Sequence, residues 1–250
     1  MESIKKTDGL KAKKDKAPKF SFVSTDLDDD KTSQKLSVLS YNILANCYCD
    51  AFHFRNTDPG ALDFKVRVLK LLKEIQELNA DIICLQEVDN FDNVYKKALR
   101  GLGYELYFKR RKTRYDGCLI GLKVGRGLRV LSKDFLDMDF DHRFVTIEDF
   151  VRDNLAIHLR IEDKMTGKIF NVINTHFYWN PDFDYVKYLQ MYLVVRWINK
   201  NIKEDESLIF CGDLNSMPDS NAIRMLLAKG EALENSCTRT RPINLKFYEE

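Results

Sequence analysis

The stretch Ile82-Ile83-Cys84-Leu85-Gln86-Glu87 decides the fold class of this 250-residue chain. Its first four residues form a short apolar run that is typical of a buried strand. An amide and a carboxylate follow, so polar side chains are expected where this strand meets solvent. Just before it, Phe64–Leu78 has apolar residues at the helical period, and Asn79 with Ala80 is expected to end that helix. The segment thus predicts a helix followed by a core strand.

Three further apolar runs also end in side chains that can hold a metal ion or a phosphate. Leu36–Tyr41 ends in Asn42, Ile169–Thr175 ends in His176, and Leu208–Gly212 is followed by Asp213-Leu214-Asn215. Each run is expected to be a core strand, and such strand ends can gather at one rim of a fold. The pattern is typical of a metal-dependent phosphate-ester hydrolase site.

The remaining segments alternate between strand and helix patterns. Strands are predicted at Tyr104–Phe108 and Cys118–Lys123, and a hairpin turns at Thr166-Gly167 between an alternating run that starts at Leu155 and the run that ends at His176. His158 falls on the polar face of the alternating run, as a solvated or packed histidine. Helices are predicted at Tyr185–Ile202 and from the Asp219/Ser220 cap to Gly230. This order favours an α/β fold of two packed sheets with helices outside.

Composition points to a soluble protein and excludes few functions. The chain is 44% hydrophobic, has a formal net charge of +2 and contains no apolar stretch near the roughly 20 residues of a membrane span. We expect a cytoplasmic protein, with the nucleus as the alternative, and no membrane association. Residues 1–34 are expected to be a disordered polar leader. Residues 35–250 are expected to form one catalytic domain, because the candidate ligands extend from Asn42 to Asn215.

The six cysteines suggest a reducing environment rather than a zinc site. Cys84, Cys118 and Cys211 lie inside apolar runs, where a free thiol behaves as a small hydrophobe. Cys47, Cys49 and His53 lie close together in the chain, but no second Cys or His pair follows at zinc-ligand spacing.

The candidate residues divide into metal ligands and phosphate contacts. Mg²⁺ prefers oxygen ligands and keeps several waters, so one or two carboxylates can anchor it. Glu87 fits this anchor role, and Asp213 with Asn215 forms a second oxygen-donor pair. Asn42 can donate to a phosphate oxygen or orient the attacking water, and His176 can stabilise developing charge.

Four short motifs carry a resemblance to a known family. Leu39-Ser40-Tyr41-Asn42, Cys84-Leu85-Gln86-Glu87-Val88, Asn174-Thr175-His176 and Gly212-Asp213-Leu214-Asn215-Ser216 resemble, in order, the motifs of the exonuclease, endonuclease and phosphatase superfamily with its DNase I-like fold. The segment Thr175–Pro181, with Asp116-Gly117-Cys118, is most similar to the branch of catabolite-repressor-type poly(A) deadenylases, nocturnin, Angel and 2′,5′-phosphodiesterases.

The resemblance implies a four-layer α/β/β/α sandwich that removes adenylate from single-stranded poly(A) RNA in the 3′ to 5′ direction. It implies two Mg²⁺ ions, with Mn²⁺ able to replace them. Glu87 would bind one metal, and Asp213 with Asn215 would serve the second metal and the water. The resemblance makes Asn42 and His176 contacts of the scissile phosphate. The implied substrate contacts are Pro181 on a base and, nearby, Tyr115, Asp116 and Asn154.

Two features qualify this hypothesis. Basic residues crowd Lys109–Arg129 against the acid Asp116, which favours a polyanionic substrate and salt-dependent binding. The superfamily also carries an aspartate-bearing strand and a terminal S-D-H motif, neither of which follows Asp219, so we expect a catalytic domain without its last strands and with reduced or no turnover.

The alternatives are a non-catalytic RNA-binding relative and an enzyme that acts on small phosphodiesters or phospholipid head groups.

Overall fold

The apolar runs form two four-stranded sheets in residues 35–139 and 152–227, the parts of the chain that the computed structural model describes. The first sheet has the order β1-β2-β4-β3, with β1 at Val38–Asn42, β2 at Ile82–Gln86, β3 at Tyr104–Arg110 and β4 at Gly117–Lys123. The second sheet has the order β5-β6-β7-β8, with β5 at Leu128–Asp137, β6 at Leu155–Asp163, β7 at Ile169–His176 and β8 at Ser207–Asp213.

Helices lie between the strands in the chain. They are α1 (Pro59–Leu62), α2 (Phe64–Leu78), α3 (Lys96–Gly101), α4 (Asp184–Asn201) and α5 (Asn221–Leu227). Short 3₁₀ turns occur at Asn46–Tyr48 and Pro181–Phe183, and a π-helical turn at Phe91–Tyr95 leads into α3. No described helix has the length and apolar character needed to cross a membrane.

The two faces of β2 show how the layers are stacked. Ile83 and Leu85 pack outward in one cluster with Val68 and Ile75 of α2. Their neighbours Ile82 and Cys84 point the other way, into a second cluster that contains Ile157, Leu159 and Val172 of the second sheet. Such alternation places one sheet face under a helix and the other against the second sheet.

The second sheet is covered on its own outer face. Ala156 and Ile173 pack there with Met191 and Val194 of α4 and with Met225 of α5. The order is therefore helix, sheet, sheet, helix, which confirms the predicted α/β/β/α sandwich.

Parallel strand pairs bring the candidate residues to one edge of this sandwich. β1 runs parallel to β2 with Asn42 opposite Gln86, and β7 runs parallel to β8 with His176 opposite Asp213. The carboxyl ends of parallel strands lie at the same edge of a sheet. Asn42 therefore lies beside the end of β2, which leads to Glu87, and His176 lies beside Asp213. The predicted gathering of strand ends is confirmed.

Most predicted elements match the structure closely, although the short helices α1 and α3 were not predicted. The helix at Phe64–Leu78 has the predicted bounds, and Asn79 ends it in a left-handed conformation. The strand β5 was not predicted, because it is an exposed edge strand with a bulge between Val130 and Ser132 and has no apolar run. His158 is packed rather than solvated, because Trp197 of α4 covers that face of β6. The predicted polar leader at 1–34 and the helix stop at Gly230 lie outside the described residues.

Candidate active site

Asn42 connects the two predicted carboxylate ligands across the sandwich. Its Nδ2 donates to Glu87 Oε1 and to Asp213 Oδ2, each at 2.8 Å. Its Oδ1 accepts from the Leu44 backbone N–H at 3.0 Å, which orients the amide. Three residues that are far apart in sequence, from β1, β2 and β8, thus form one polar cluster.

Glu87 follows β2 in a left-handed backbone conformation with φ +57°. Its second oxygen, Oε2, accepts from the Ala45 backbone N–H at 3.0 Å. A left-handed conformation costs a non-glycine residue roughly 1–2 kcal/mol, so the surrounding fold must stabilise it. The position of this carboxylate is therefore determined by its neighbours.

Asp213 ends β8, where Gly212 permits an unusually close approach to β7. A Cβ at position 212 would lie 2.3 Å from the Thr175 carbonyl oxygen, and the glycine has φ +150°. Asp213 Oδ1 accepts from the Asn215 backbone N–H at 3.0 Å, and Asn215 Nδ2 donates to the Phe177 carbonyl at 3.0 Å. These bonds hold the Asp213–Asn215 turn against the end of β7.

His176 is buried beside this cluster, with 5% of its surface exposed. Its Nε2 lies 3.9 Å from Glu87 Oε1 and 4.0 Å from Asp213 Oδ2, while its Nδ1 lies 3.4 Å from Arg111 Nη2. Burial, assisted by the positive charge of Arg111, lowers the pKa of His176 despite the nearby carboxylates. Because an arginine N–H can only donate, the Nδ1 that faces Arg111 carries no proton, so the ring is neutral.

Asp116 lies beneath the site and is fully buried. Its Oδ1 accepts from the Tyr48 hydroxyl at 2.8 Å, and its Oδ2 lies 3.6 Å from Arg111 Nε. In this arrangement Asp116 can influence a substrate only through its neighbours, in place of the direct contact that the resemblance implied.

Asn154 is likewise buried, with 2% exposure. Its Nδ2 donates to the His176 carbonyl at 2.8 Å, and its Oδ1 accepts from Gln190 Nε2 at 2.9 Å. It therefore supports the backbone of His176 and does not face a ligand.

Tyr115 and Pro181, the other two implied substrate contacts, are exposed. Tyr115 has 77% of its surface accessible, and Pro181 begins the 3₁₀ turn after the exposed Trp179. Both remain candidates for base contacts.

The basic segment Lys109–Arg129 presents less free positive charge than its composition suggests. Four of its members bind within the fold: Lys112 pairs with Asp137 at 3.1 Å, Arg126 with Asp81 at 2.9 Å, Arg129 with Glu162 at 2.7 Å, and Lys123 Nζ donates to the Leu102 carbonyl. Arg110 and Arg114 are exposed. Carboxylates distant in sequence pair with Lys112, Arg126 and Arg129, which counting charges along one segment cannot reveal.

Sequence reasoning missed the supporting roles of Arg111, Tyr48 and Gln190. Arg111 was noted only as one charge in the basic segment. Gln190 of α4 also supports the site, because its Oε1 accepts from the Tyr178 backbone N–H at 2.9 Å and its Nε2 donates to Asn154 at 2.9 Å. Gln190 lies on the same side of α4 as Val186 and Lys187, which are also buried, and this helical spacing is the signal that could have identified it.

The donor set of the site fits a hard cation. Glu87 and Asp213 offer carboxylate oxygens and Asn215 offers an amide oxygen, which are ligands that Mg²⁺ accepts while it keeps several waters. The described residues contain no cluster of three His, Cys, Asp or Glu side chains placed to hold a metal.

A cavity of about 660 Å³ opens beside the carboxylates. Its walls come from the ends of β1, β2 and β8, the turn after β8 and the start of α5, and its lining includes Asn42, Gln86, Asp213 and Asn215. The polar cluster is thus accessible to a ligand from this side.

Comparisons with known proteins identify the family. The model of the endonuclease/exonuclease/phosphatase family matches residues 39–247. The chain is 30% identical over 228 residues to the CCR4-Not complex 3′-5′-exoribonuclease subunit Ccr4 of Candida glabrata, which covers 80% of this chain and 26% of that protein. It is 34% identical over 202 residues to protein angel homolog 2 of Danio rerio, which covers 76% of this chain and 35% of the relative. The chain thus spans about a quarter to a third of these curated relatives.

Solved structures agree with this assignment. ANGEL2, described as a 2′,3′-cyclic phosphatase and solved with adenosine-2′,3′-vanadate, superposes with a TM-score of 0.71 at 27% identity, over 82% of this chain and 64% of that chain. The human nocturnin catalytic domain shares the fold with a TM-score of 0.65 at 23% identity, over 77% of this chain and 68% of that chain. Because the family model matches most of the chain and the solved structures share its fold, the chain belongs to the endonuclease/exonuclease/phosphatase family.

Proposed function

We propose that this site hydrolyses phosphodiester bonds of single-stranded RNA as a Mg²⁺-dependent 3′-5′ exoribonuclease of the deadenylase-like branch. The observation that carries the proposal is the bridge from Asn42 to both Glu87 and Asp213 beside a neutral His176. The name of the Ccr4 relative supports an RNA substrate and this direction of cleavage. The exposed Tyr115 and Trp179 provide surfaces on which unpaired bases can stack.

In this proposal some of the site residues bind the cation and another binds the phosphate. Glu87, Asp213 and Asn215 would hold Mg²⁺, which supplies Lewis-acid polarisation of a phosphoryl oxygen when bound. Both N–H donors of Asn42 are used on the carboxylates, so Asn42 keeps these two ligands together. His176, buried and neutral, donates from Nε2 to a non-bridging phosphate oxygen.

A second candidate activity is hydrolysis of a terminal 2′,3′-cyclic phosphate. It is favoured by the similarity to ANGEL2, whose structure holds adenosine-2′,3′-vanadate. A cyclic phosphate is also a phosphodiester, so the same cation and the same His176 donor would serve it.

The test compares two oligo(A) substrates that differ only at the 3′ end. One ends in a free hydroxyl and the other in a 2′,3′-cyclic phosphate, and each is incubated with Mg²⁺ or with EDTA. The exonuclease proposal expects progressive shortening of the first substrate, loss of this activity in Asp213→Ala, and unchanged activity in the exposed Glu77→Gln. Ring opening without shortening would select the cyclic phosphatase instead.

Binding measurements separate both activities from a non-catalytic role. We expect single-stranded oligo(A) RNA to bind better than duplex DNA of equal length, with affinity that falls as salt rises. Fluorescence anisotropy at two salt concentrations measures both effects. Tight RNA binding with no turnover of either substrate would support the non-catalytic RNA-binding alternative.

A further inference from the structure

A chain of polar side chains leads from Tyr48 to His176. The Tyr48 hydroxyl donates to Asp116 Oδ1 at 2.8 Å, and Asp116 Oδ2 lies 3.6 Å from Arg111 Nε. Arg111 Nη2 in turn lies 3.4 Å from His176 Nδ1. The side chains of Arg111 and Asp116 are only 10% and 1% exposed, so this contact is shielded from solvent.

The chemistry of the guanidinium assigns the direction of the last contact. Arginine has five N–H donors and no acceptor, so Nη2 must donate and His176 Nδ1 must accept. A neutral imidazole that accepts at Nδ1 carries its proton on Nε2. That Nε2 is the nitrogen 3.9 Å from Glu87 Oε1 and 4.0 Å from Asp213 Oδ2, on the side of the proposed cation and phosphate.

We propose that Arg111 is a positioning residue that holds His176 in the Nε2-protonated tautomer, with the Nε2–H directed at the scissile phosphate. This inference rests on the proposed function of the site. With the proton on Nδ1 instead, an Nε2 lone pair would face the phosphate and repel it. The assignment thus explains why an arginine in a phosphate-binding enzyme is buried beneath a histidine.

Asp116 gives Arg111 a fixed position. The backbone N–H of Arg111 donates to the Asp116 carbonyl at 3.0 Å, so both ends of the loop between β3 and β4 are joined. Asp116 Oδ2 has no hydrogen-bond partner among the described residues and faces Arg111 Nε. A buried carboxylate next to a guanidinium favours one placement of that guanidinium.

Imidazole ¹⁵N chemical shifts test the tautomer without any activity measurement. The full chain is labelled at histidine and measured near pH 7 in EDTA, and the His176 signals are assigned from their absence in His176→Gln. We expect two widely separated shifts, with the unprotonated signal at Nδ1. In Arg111→Met the two shifts should converge, because the two tautomers then mix. Arg111→Lys, which keeps a donor, should retain part of the separation.

The matched control is Arg110→Met, which removes the same charge from an exposed neighbour and should leave the His176 shifts unchanged. A wild-type spectrum with the proton on Nδ1, or with two converged shifts, would overturn the proposal even if Arg111→Met fails to fold. Unchanged His176 shifts in a folded Arg111→Met protein would overturn it too.

Kinetics then separate this inference from the proposed function. If RNA is hydrolysed, Arg111→Met should lower kcat on the order of tenfold with little change in KM, because the Nε2–H contact strengthens in the transition state. If the wild type hydrolyses no RNA but its separated His176 shifts converge in Arg111→Met, the positioning role is upheld and the RNA substrate is rejected. RNA hydrolysis with an unchanged kcat in Arg111→Met would reject the positioning role alone.

Discussion

At the scale of single residues, the site is built from strained positions that the surrounding fold stabilises. Glu87 and Asn215 both have positive φ angles although neither is a glycine. Each is held by a local hydrogen bond, Glu87 through the Ala45 N–H and Asn215 through its own N–H to Asp213. Conformations of this kind are concentrated at functional sites. The fold itself therefore holds these two residues, which are proposed cation ligands, in place.

Replacing Glu87 tests the proposed cation site directly. Glu87→Gln keeps the size of the side chain and removes its charge, so affinity for Mg²⁺ or Mn²⁺ should fall by about tenfold or more. Calorimetric titration measures this change. Glu105→Gln, at an exposed position of β3, serves as the control and should bind like the wild type. Equal affinities in the wild type and Glu87→Gln would refute the assignment.

At the scale of elements, a polar network ties β5, β6, β7 and the start of β8 together. His158 on β6 lies between Asp134 Oδ2 at 3.2 Å and Asn171 Oδ1 at 2.9 Å. Asn171 Nδ2 donates to Glu206 Oε2, and the Glu206 carboxylate also accepts from Nε and Nη2 of Arg160. These hydrogen bonds satisfy the polar groups of His158 and Asn171. Both side chains can therefore be buried between the strands and α4.

Glu206 should give the protein a measurable pH dependence of stability. The hydrogen bonds from Arg160, with support from Asn171, lower the pKa of Glu206 from 4.5 to about 2. A lowered folded-state pKa means that the stabilisation is present above pH 4.5 and is lost as the pH falls towards 2. Glu206→Gln should therefore cost about 1–3 kcal/mol near pH 7.

Urea unfolding at several pH values measures this effect. The difference between wild type and Glu206→Gln should shrink below pH 4.5. The exposed Glu204→Gln should show little difference at any pH. A cost for Glu206→Gln that does not change with pH would contradict the ionic origin.

At the scale of the whole molecule, two buried amides join the sheets just behind the site. Asn174 of β7 donates through Nδ2 to the carbonyls of Leu85 at 3.0 Å and Leu119 at 2.9 Å. Its Oδ1 accepts from Gln86 Nε2 at 2.7 Å. Gln86 directly precedes Glu87. The packing of the two sheets therefore helps to fix the position of the Glu87 carboxylate.

Removing the Asn174 amide should weaken both the fold and the site. Asn174→Ala leaves buried carbonyls without partners, at a cost of at least about 2 kcal/mol. It should also lower Mg²⁺ affinity, because Glu87 loses its support. Thermal unfolding and calorimetry measure the two effects, and the exposed Asn56→Ala should change stability by less than about 0.5 kcal/mol. A stability loss without any change in metal affinity would show that the connection to Glu87 does not matter.

The sequence by itself determined the elements whose signal is local. The helical period placed α2, apolar runs placed the strands of the site, and the polar residues after those runs identified Asn42, Glu87, His176 and Asp213. The edge strand β5 was not predicted from the sequence, because an exposed strand needs no apolar run.

Only the tertiary structure decided which polar residues line the candidate site and which ones hold those residues in place. Asp116 and Asn154 proved to be buried supports, and Arg111 proved to contact His176, from which it is 65 positions distant. The same holds for the basic segment, where Lys112, Arg126 and Arg129 pair with carboxylates distant in sequence. The physical reason is that side-chain pairing depends on strand register and on the packing of two sheets, and these contacts between distant residues leave no periodic pattern in the chain.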